Sequence, residues 1–172
     1  MLDLKAGQAD VGIRCGAPPW KGLKAEMVSP IHLSPVCSPA LLDAGPALKS
    51  PEDCLARPLI HADITGHPLG EEWRTWLAAA GVSGIAELDG LSFHDPNLAL
   101  QAAIDGLGIA MGYPELAEPD VSAGRLVYPF ELKVRHAFSY FLVYPTARAQ
   151  VARIRRFRQW ILTESRAARG AA

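Results

Sequence analysis

The sequence predicts an α/β fold with a largely parallel sheet, and three stretches carry that prediction. Residues 93–112, FHDPNLALQAAIDGLGIAMG, read as a capped helix, a tight turn and a buried strand. Residues 71–81, EEWRTWLAAAG, read as an amphipathic helix ended by glycine. Residues 138–144, FSYFLVY, are apolar on both faces, as the central strand of a sheet is. Short strands alternating with helices are the signature of βαβ units.

From the N-terminus, residues 9–14 alternate, with Val11 and Ile13 on one face and Gly12 and Arg14 on the other, and predict a strand closed by Arg14. A Pro/Gly loop at 17–22 follows and carries Trp20 at a cleft or interface. Residues 23–28 and 31–37 predict two further strands, the second bent or at an edge because of Pro35. Ser38-Pro39 and Ser50-Pro51 each place a capping hydroxyl before a proline at the first helical position, so two short helices start there. Residues 58–61 lead into another strand.

In the helix at 71–80, Trp73, Trp76, Leu77 and Ala80 fall at i, i+3, i+4 and i+7, and Gly81 stops it. Asp95 is the N-cap of the next helix and Pro96 its first residue. Gly106 suits the left-handed position after its last turn, where Leu107 folds back as a Schellman contact. Residues 108–112 are too short and too apolar for anything but a strand buried on both faces. A short helical turn and a second strand complete this stretch to residue 130. Residues 150–166 predict a terminal helix with Val151, Ile154, Phe157 and Ile161 inward and a disordered tail after Ser165. Trp73, Trp76 and Trp160 are expected in the core.

Composition narrows the function. With 49% hydrophobic and 20% charged residues the chain matches a soluble globular protein, and a net charge of −1 supplies no general attraction to nucleic acid. No run is long enough to span a membrane, and residues 1–8 are too short and polar for a signal peptide. Cys15, Cys37 and Cys54 are widely spaced without a C-x-x-C, which argues against zinc or a disulfide framework and for a reducing cytoplasm.

Several patterns imitate chemistry. Gly106, Gly108 and Gly112 resemble a nucleotide fingerprint, but they follow a helix and enter a strand, where the dipole has the wrong sign for phosphate. His61, Asp63 and His67 match no zinc spacing. There is no G-x-S-x-G, Ser38 and Ser50 serve as caps, and His94-Asp95 is better explained by the cap than by acid–base work, so no catalytic residue, metal or cofactor is expected. The arginines at 148, 153, 155, 156 and 158 occupy the polar face of an amphipathic helix, not a DNA-reading motif. Arg14, at the carboxyl end of a strand, offers a planar fork to a carboxylate. It reads equally well as half of a structural ion pair.

The run QAAIDGLGIAMG followed by LAEPDVSAGRLVYPF resembles the effector-binding domain of LysR-type transcriptional regulators, in the branch similar to the glycine-cleavage activator. ADVGIRCG (9–16), LSPVCSPALL (33–42), SPEDCLARPLIHAD (50–63), EEWRTWLAAAG (71–81), SYFLVYP (139–145) and FRQWILTE (157–164) match in the same order. The resemblance implies a two-lobed, type 2 periplasmic-binding-protein-like fold. Lobe one would comprise 1–58 and 134–172, and lobe two 59–133. The family's winged helix-turn-helix, linker helix and first strand–helix–strand have no match, so the fold is expected to be N-terminally truncated.

The resemblance further implies a small anionic metabolite effector held by Arg14, His61, Phe93, His94 and Asp95. Homodimers or homotetramers are expected, with promoter DNA reached only through a helix-turn-helix absent from this chain. Two other readings stay open: a stand-alone solute-binding protein of the same fold, and a regulator truncated so that it no longer binds DNA.

Overall fold

The computed structural model describes Leu4 and residues 7–62, 68–85 and 87–170, the last three of these without their side chains. The chain forms two units, Met1–Ile31 with His136–Ala172 (unit 1) and His32–Arg135 (unit 2). In chain order the strands are β1 (Gly12–Gly16), β2 (Leu23–Val36), β3 (Leu59–Ala62), β4 (Gly90–Phe93), β5 (Ile109–Gly112) and β6 (Val134–Pro145). The helices are α1 (Pro39–Asp43), α2 (Glu71–Ala79), α3 (Pro96–Ile104), α4 (Pro114–Ser122) and α5 (Ala152–Gly170), with 3-10 turns at Pro51–Ala56 and Thr146–Arg148. Strands β2 and β6 each contribute to both units.

The chain passes from unit 1 to unit 2 at Ile31/His32 and back at Arg135/His136. Residues 32–58 belong to unit 2 through their bonds. Ser34, Pro35 and Val36 pair antiparallel with Gly112, Met111 and Ala110. Cys37 bridges Val127, and the Ile109 N–H donates to the Pro58 carbonyl at 2.9 Å.

Unit 2 is built from two βαβ crossovers. Strand β3 pairs in parallel with β4 on one side and β5 on the other, and β2 lies beyond β5. The sheet is therefore mixed. One face is closed by Ala99, Leu100, Ala102 and Ala103 of α3 and Ala117 of α4, packed on Val36, Ile60 and Ala110. Alanines along α3 let its backbone approach the sheet closely. The opposite face takes α2, whose Trp73 Nε1 donates to the Ile60 carbonyl at 3.2 Å and whose Trp76 Nε1 donates to the Leu132 carbonyl at 3.0 Å. The two indoles meet edge to face at 6.3 Å.

The local signals act as the sequence predicts. Ser38 accepts from the Leu41 N–H at 3.3 Å to start α1. Asp95 accepts from the Asn97 N–H at 2.8 Å to start α3. Gly106, at φ +78°, ends α3, with Leu107 N–H bonded to the Ala102 carbonyl at 3.0 Å. That is the six-to-one bond of a Schellman turn.

In unit 1, β6 lies between β1 and β2, and β1 pairs antiparallel with β6 from Gly12↔Val143 to Gly16↔Ser139. Helix α5 covers one face through Ile154, which packs on Leu142 and Tyr144 with Val11, Val28 and Ile161 around them. Glu26 ties β2 to β6 and to α5. It accepts from Tyr144 Oη and, at 2.5 and 2.7 Å, from the Arg158 guanidinium. Those bonds hold its carboxyl below the usual range.

Several expectations change. Strand β2 runs unbroken through Pro30 and Pro35, because proline's φ fits extended backbone and costs only a donor. Strand β1 lies at the edge of the sheet, and its Ile13 is 50% exposed. On α5, Ile154 faces inward as expected, but Phe157 is 37% and Trp160 56% exposed. The helix also continues past Ser165 to Gly170. The short turn after β5 is a helix of nine residues that tolerates Pro119, and the strand expected before residue 130 is a single bridge at Val127.

Candidate functional site

The topology of unit 2 selects one edge of its sheet. The chain leaves β3 for β4 through α2 on one face, then returns past β3 to β5 through α3 on the other. The strand order β4-β3-β5 reverses direction at β3, and ligands in open α/β sheets sit outside the carboxyl ends of the strands at such a switch point. The carboxyl ends of β3, β4 and β5 and the N-termini of α2, α3 and α4 share that edge. Backbone N–H groups of three helix starts therefore point the same way.

Two residues the sequence reading did not single out meet there. Tyr113, directly after β5, donates its hydroxyl hydrogen bond to Glu72 in the first turn of α2. Both are buried, at 6% and 9% exposure. Burial pushes the Glu72 carboxyl above its ordinary range, and the Tyr113 hydroxyl partly opposes that. An acidic residue in a helix's first turn is commonplace, so Glu72 gave no separate signal. Nearby, His32 Nδ1 lies 2.6 Å from Glu115 Oε1 in the first turn of α4, and the His32 N–H donates to the same carboxylate at 3.3 Å.

The expected site residues divide. Asp95 is exposed, caps α3 and lies on this edge beside the exposed His94. Phe93 is half-buried against the Ile60 and Ala99 cluster. His61 does not join them. Phe93 pairs with Ala62 on the α3 face, whereas His61 alternates to the other face and is 2% exposed.

Its ring lies against Gly70 and Gly90, and among the described residues neither ring nitrogen meets a partner at hydrogen-bonding geometry. The backbone of Leu88 and Asp89 lies close enough to favour its charged form, but burial wins and lowers its pKa. Period-two alternation, applied from Ile60, could have separated His61 from Phe93. Asp63 and His67 lie outside the described residues.

Arg14 belongs to unit 1, where it pairs with Phe141 and is half-buried. Among the described residues it has no hydrogen-bonded or ionic partner, so the ion-pair reading gains no support. Trp20 packs on the same strand pair, with its ring 5.6 Å from that of Phe141. Burial raises the Cys37 and Cys54 thiols to about 11 and about 12, so both remain protonated and unreactive. No group of three metal-binding side chains occurs among the described residues.

The family model for the LysR substrate binding domain matches residues 1–166. The chain belongs to that family. It is 36% identical over 165 residues to the glycine cleavage system transcriptional activator of Escherichia coli K12, covering 96% of this chain and 52% of the relative. It is 29% identical over 162 residues to the HTH-type transcriptional activator AmpR of Enterobacter cloacae, covering 94% and 53%. The chain thus spans about half the length of these relatives.

The effector domain of AmpR from Pseudomonas aeruginosa superimposes with a TM-score of 0.81 at 27% identity, over 99% of this chain and 79% of that one. The CrgA regulatory domain of Neisseria meningitidis shares the fold alone, with a TM-score of 0.69 at 18% identity over 94% of this chain and 78% of that one. The fold is thus the type 2 periplasmic-binding-like one of LysR effector-binding domains. These relatives are transcriptional regulators, and the matched region is their binding domain, not an enzyme. No described helix is long and apolar enough to cross a membrane.

Proposed function

We propose that this domain senses a small anionic metabolite for a LysR-type transcriptional regulator. Binding would favour one of two arrangements of the domain, and self-association would pass that preference to the DNA-binding part. A ligand shifts such an equilibrium only through different affinities for the two states. The observation that carries the reading is the family match together with the parallel β3, β4 and β5, whose carboxyl ends share one edge of unit 2.

On unit 1, Arg14 is the proposed carboxylate contact, since its fork is uncommitted among the described residues and suits a bidentate bond. On unit 2, Phe93, His94 and Asp95 form the proposed contact segment at the start of α3. The Asp95 charge opposes an anion, so the recognition there rests on the α3 backbone and on His94. The position of His61 gives it a packing role instead.

Calorimetry against a panel of small carboxylates tests this. A charge-assisted bond contributes about 1.5–3 kcal/mol, so Arg14→Ala is expected to weaken the binding ligand roughly ten- to a hundredfold. Lysine there recovers only part of the loss. Equal affinities for wild type and Arg14→Ala would place the site elsewhere. Sedimentation at tens of micromolar tests self-association, with a strictly monomeric species as the contrary result.

A further inference from the structure

Unit 2 holds a cavity at the amino end of its strands, remote from the carboxyl edge where α3 begins. Its volume is about 450 Å³, and it borders both the chain entering β3 and the chain entering β4. Leu59 and Gly90, the first residues of those two paired strands, line it. Small-molecule sites run from roughly 300 to 1,000 Å³, so a compact organic ligand fits there.

The lining divides by chemistry. Leu55, Pro58 and Leu59 supply apolar surface, and Leu55 is 37% exposed. Arg57 is committed elsewhere: its guanidinium donates to the Pro46 carbonyl at 2.7 Å and lies over Gly45, where a Cβ would come within 2.3 Å of Nη1. Glu87 and Asp89 are exposed, and among the described residues neither carboxylate has a hydrogen-bonded or ion-pair partner. Two uncommitted negative charges therefore stand beside an apolar wall.

His61 lies behind that wall. It is 2% exposed, and among the described residues neither ring nitrogen has a hydrogen-bond partner. Its Nε2 is directed at Gly90, 2.9 Å from where a Cβ would sit on that glycine. Burial favours the neutral ring, and a neutral imidazole always keeps one acceptor nitrogen. An unmet buried acceptor gains from positive charge nearby and loses from negative charge.

We infer that this cavity is a second small-molecule site of unit 2 and takes an organic cation, with an ammonium group against Glu87 and Asp89 and a short apolar body against Leu55, Pro58 and Leu59. The same two carboxylates disfavour an anion, because the guanidinium beside them is turned to Pro46. A ligand seated here bridges the segments that lead into β3 and β4. The start of α3 lies at the other end of these strands, so the inference does not rest on the effector reading.

The probe is benzylamine, titrated into the whole chain at constant ionic strength and read by amide and histidine-ring NMR. Saturable shifts are expected at residues 87–91 and at the His61 ring. Methylammonium, which keeps the charge without the ring, should bind about tenfold or more weakly. Benzyl alcohol, which keeps the ring without the charge, should bind about fivefold or more weakly. Glu87→Gln combined with Asp89→Asn, both at exposed positions, should weaken benzylamine about fivefold and leave benzyl alcohol unchanged. No saturable shift at residues 87–91, an unchanged affinity in the double variant, or methylammonium, benzyl alcohol or benzoate binding there as tightly as benzylamine would overturn the inference. None of these outcomes bears on the effector reading, which stands or falls with the calorimetry.

Discussion

Helices cover both sheet faces of unit 2, whereas among the described residues unit 1 leaves part of its α5 side open. In unit 2 the α3 face buries Val36, Ile60, Ala103 and Leu126 completely, while the other face buries Trp73, Trp76 and Leu77 at 1% exposure or less. Unit 1 buries Leu142, Val143 and Ile154 as fully, but leaves Ile13, Phe157 and Trp160 at 37–56%. Both units come from strands and amphipathic helices of ordinary pattern. What separates them is neighbours: an apolar residue becomes core only when the next element along the sheet is there to meet it.

The largest test of that difference replaces one indole in each unit. Trp76→Ala removes a fully buried ring and its bond to the Leu132 carbonyl, and is expected to cost about 3–5 kcal/mol in urea unfolding. Trp160→Ala, at a 56% exposed position, should fall within about 0.5 kcal/mol. Comparable losses would mean that Trp160 is covered in solution.

Glycines give a smaller contrast. A Cβ at Gly108 would lie 2.3 Å from the Pro58 carbonyl oxygen, so Gly108→Ala should cost about 1–3 kcal/mol as the backbone gives way. At Gly12 in β1 the nearest atoms would be 3.6 Å away, at ordinary contact, and Gly12→Ala should be close to neutral. A neutral Gly108→Ala would show that β3 and β5 can separate cheaply at their start.

The finest test concerns two buried titratable groups of unit 2. Burial lowers the pKa of His61 and raises that of Glu72, so both favour their neutral forms in the fold. For His61, stability falls as pH drops below its ordinary value of 6.5 toward its lower folded value. For Glu72, stability falls as pH rises from its ordinary 4.5 toward its higher folded value. Urea midpoints across mildly acidic pH should therefore lose their acid-side decline in His61→Gln and keep it in Glu72→Gln. Identical profiles for wild type and His61→Gln would remove histidine burial as the cause.

Much of the fold was legible because its signals are local. Ser38-Pro39, Asp95-Pro96 and Gly106 each fix a helix end through bonds within a few residues. The two indoles of α2 were legible because helical periodicity needs no partner. What escaped depends on distant chain. The exposure of Trp160 turns on what lies beside α5, and the Tyr113–Glu72 bond joins residues 41 apart in sequence. The pairing of residues 34–37 has the same cause, since their partners lie more than seventy positions away. Asp95 was legible as a cap; whether it also meets an effector depends on groups no local pattern reports.

Gly106, Gly108 and Gly112 look like one signature and record three separate demands. The first needs a left-handed backbone at φ +78°. The second must clear the Pro58 oxygen, and the third would place a Cβ 2.7 Å from a Val36 methyl. Their spacing follows from the length of a turn and the pleat of one strand, with no shared ligand behind it. A pattern search that scores such a trio as a unit counts three packing constraints as a single piece of chemistry. In chains of this fold, glycine spacing after a helix reports how tightly the sheet closes and carries no information about nucleotides.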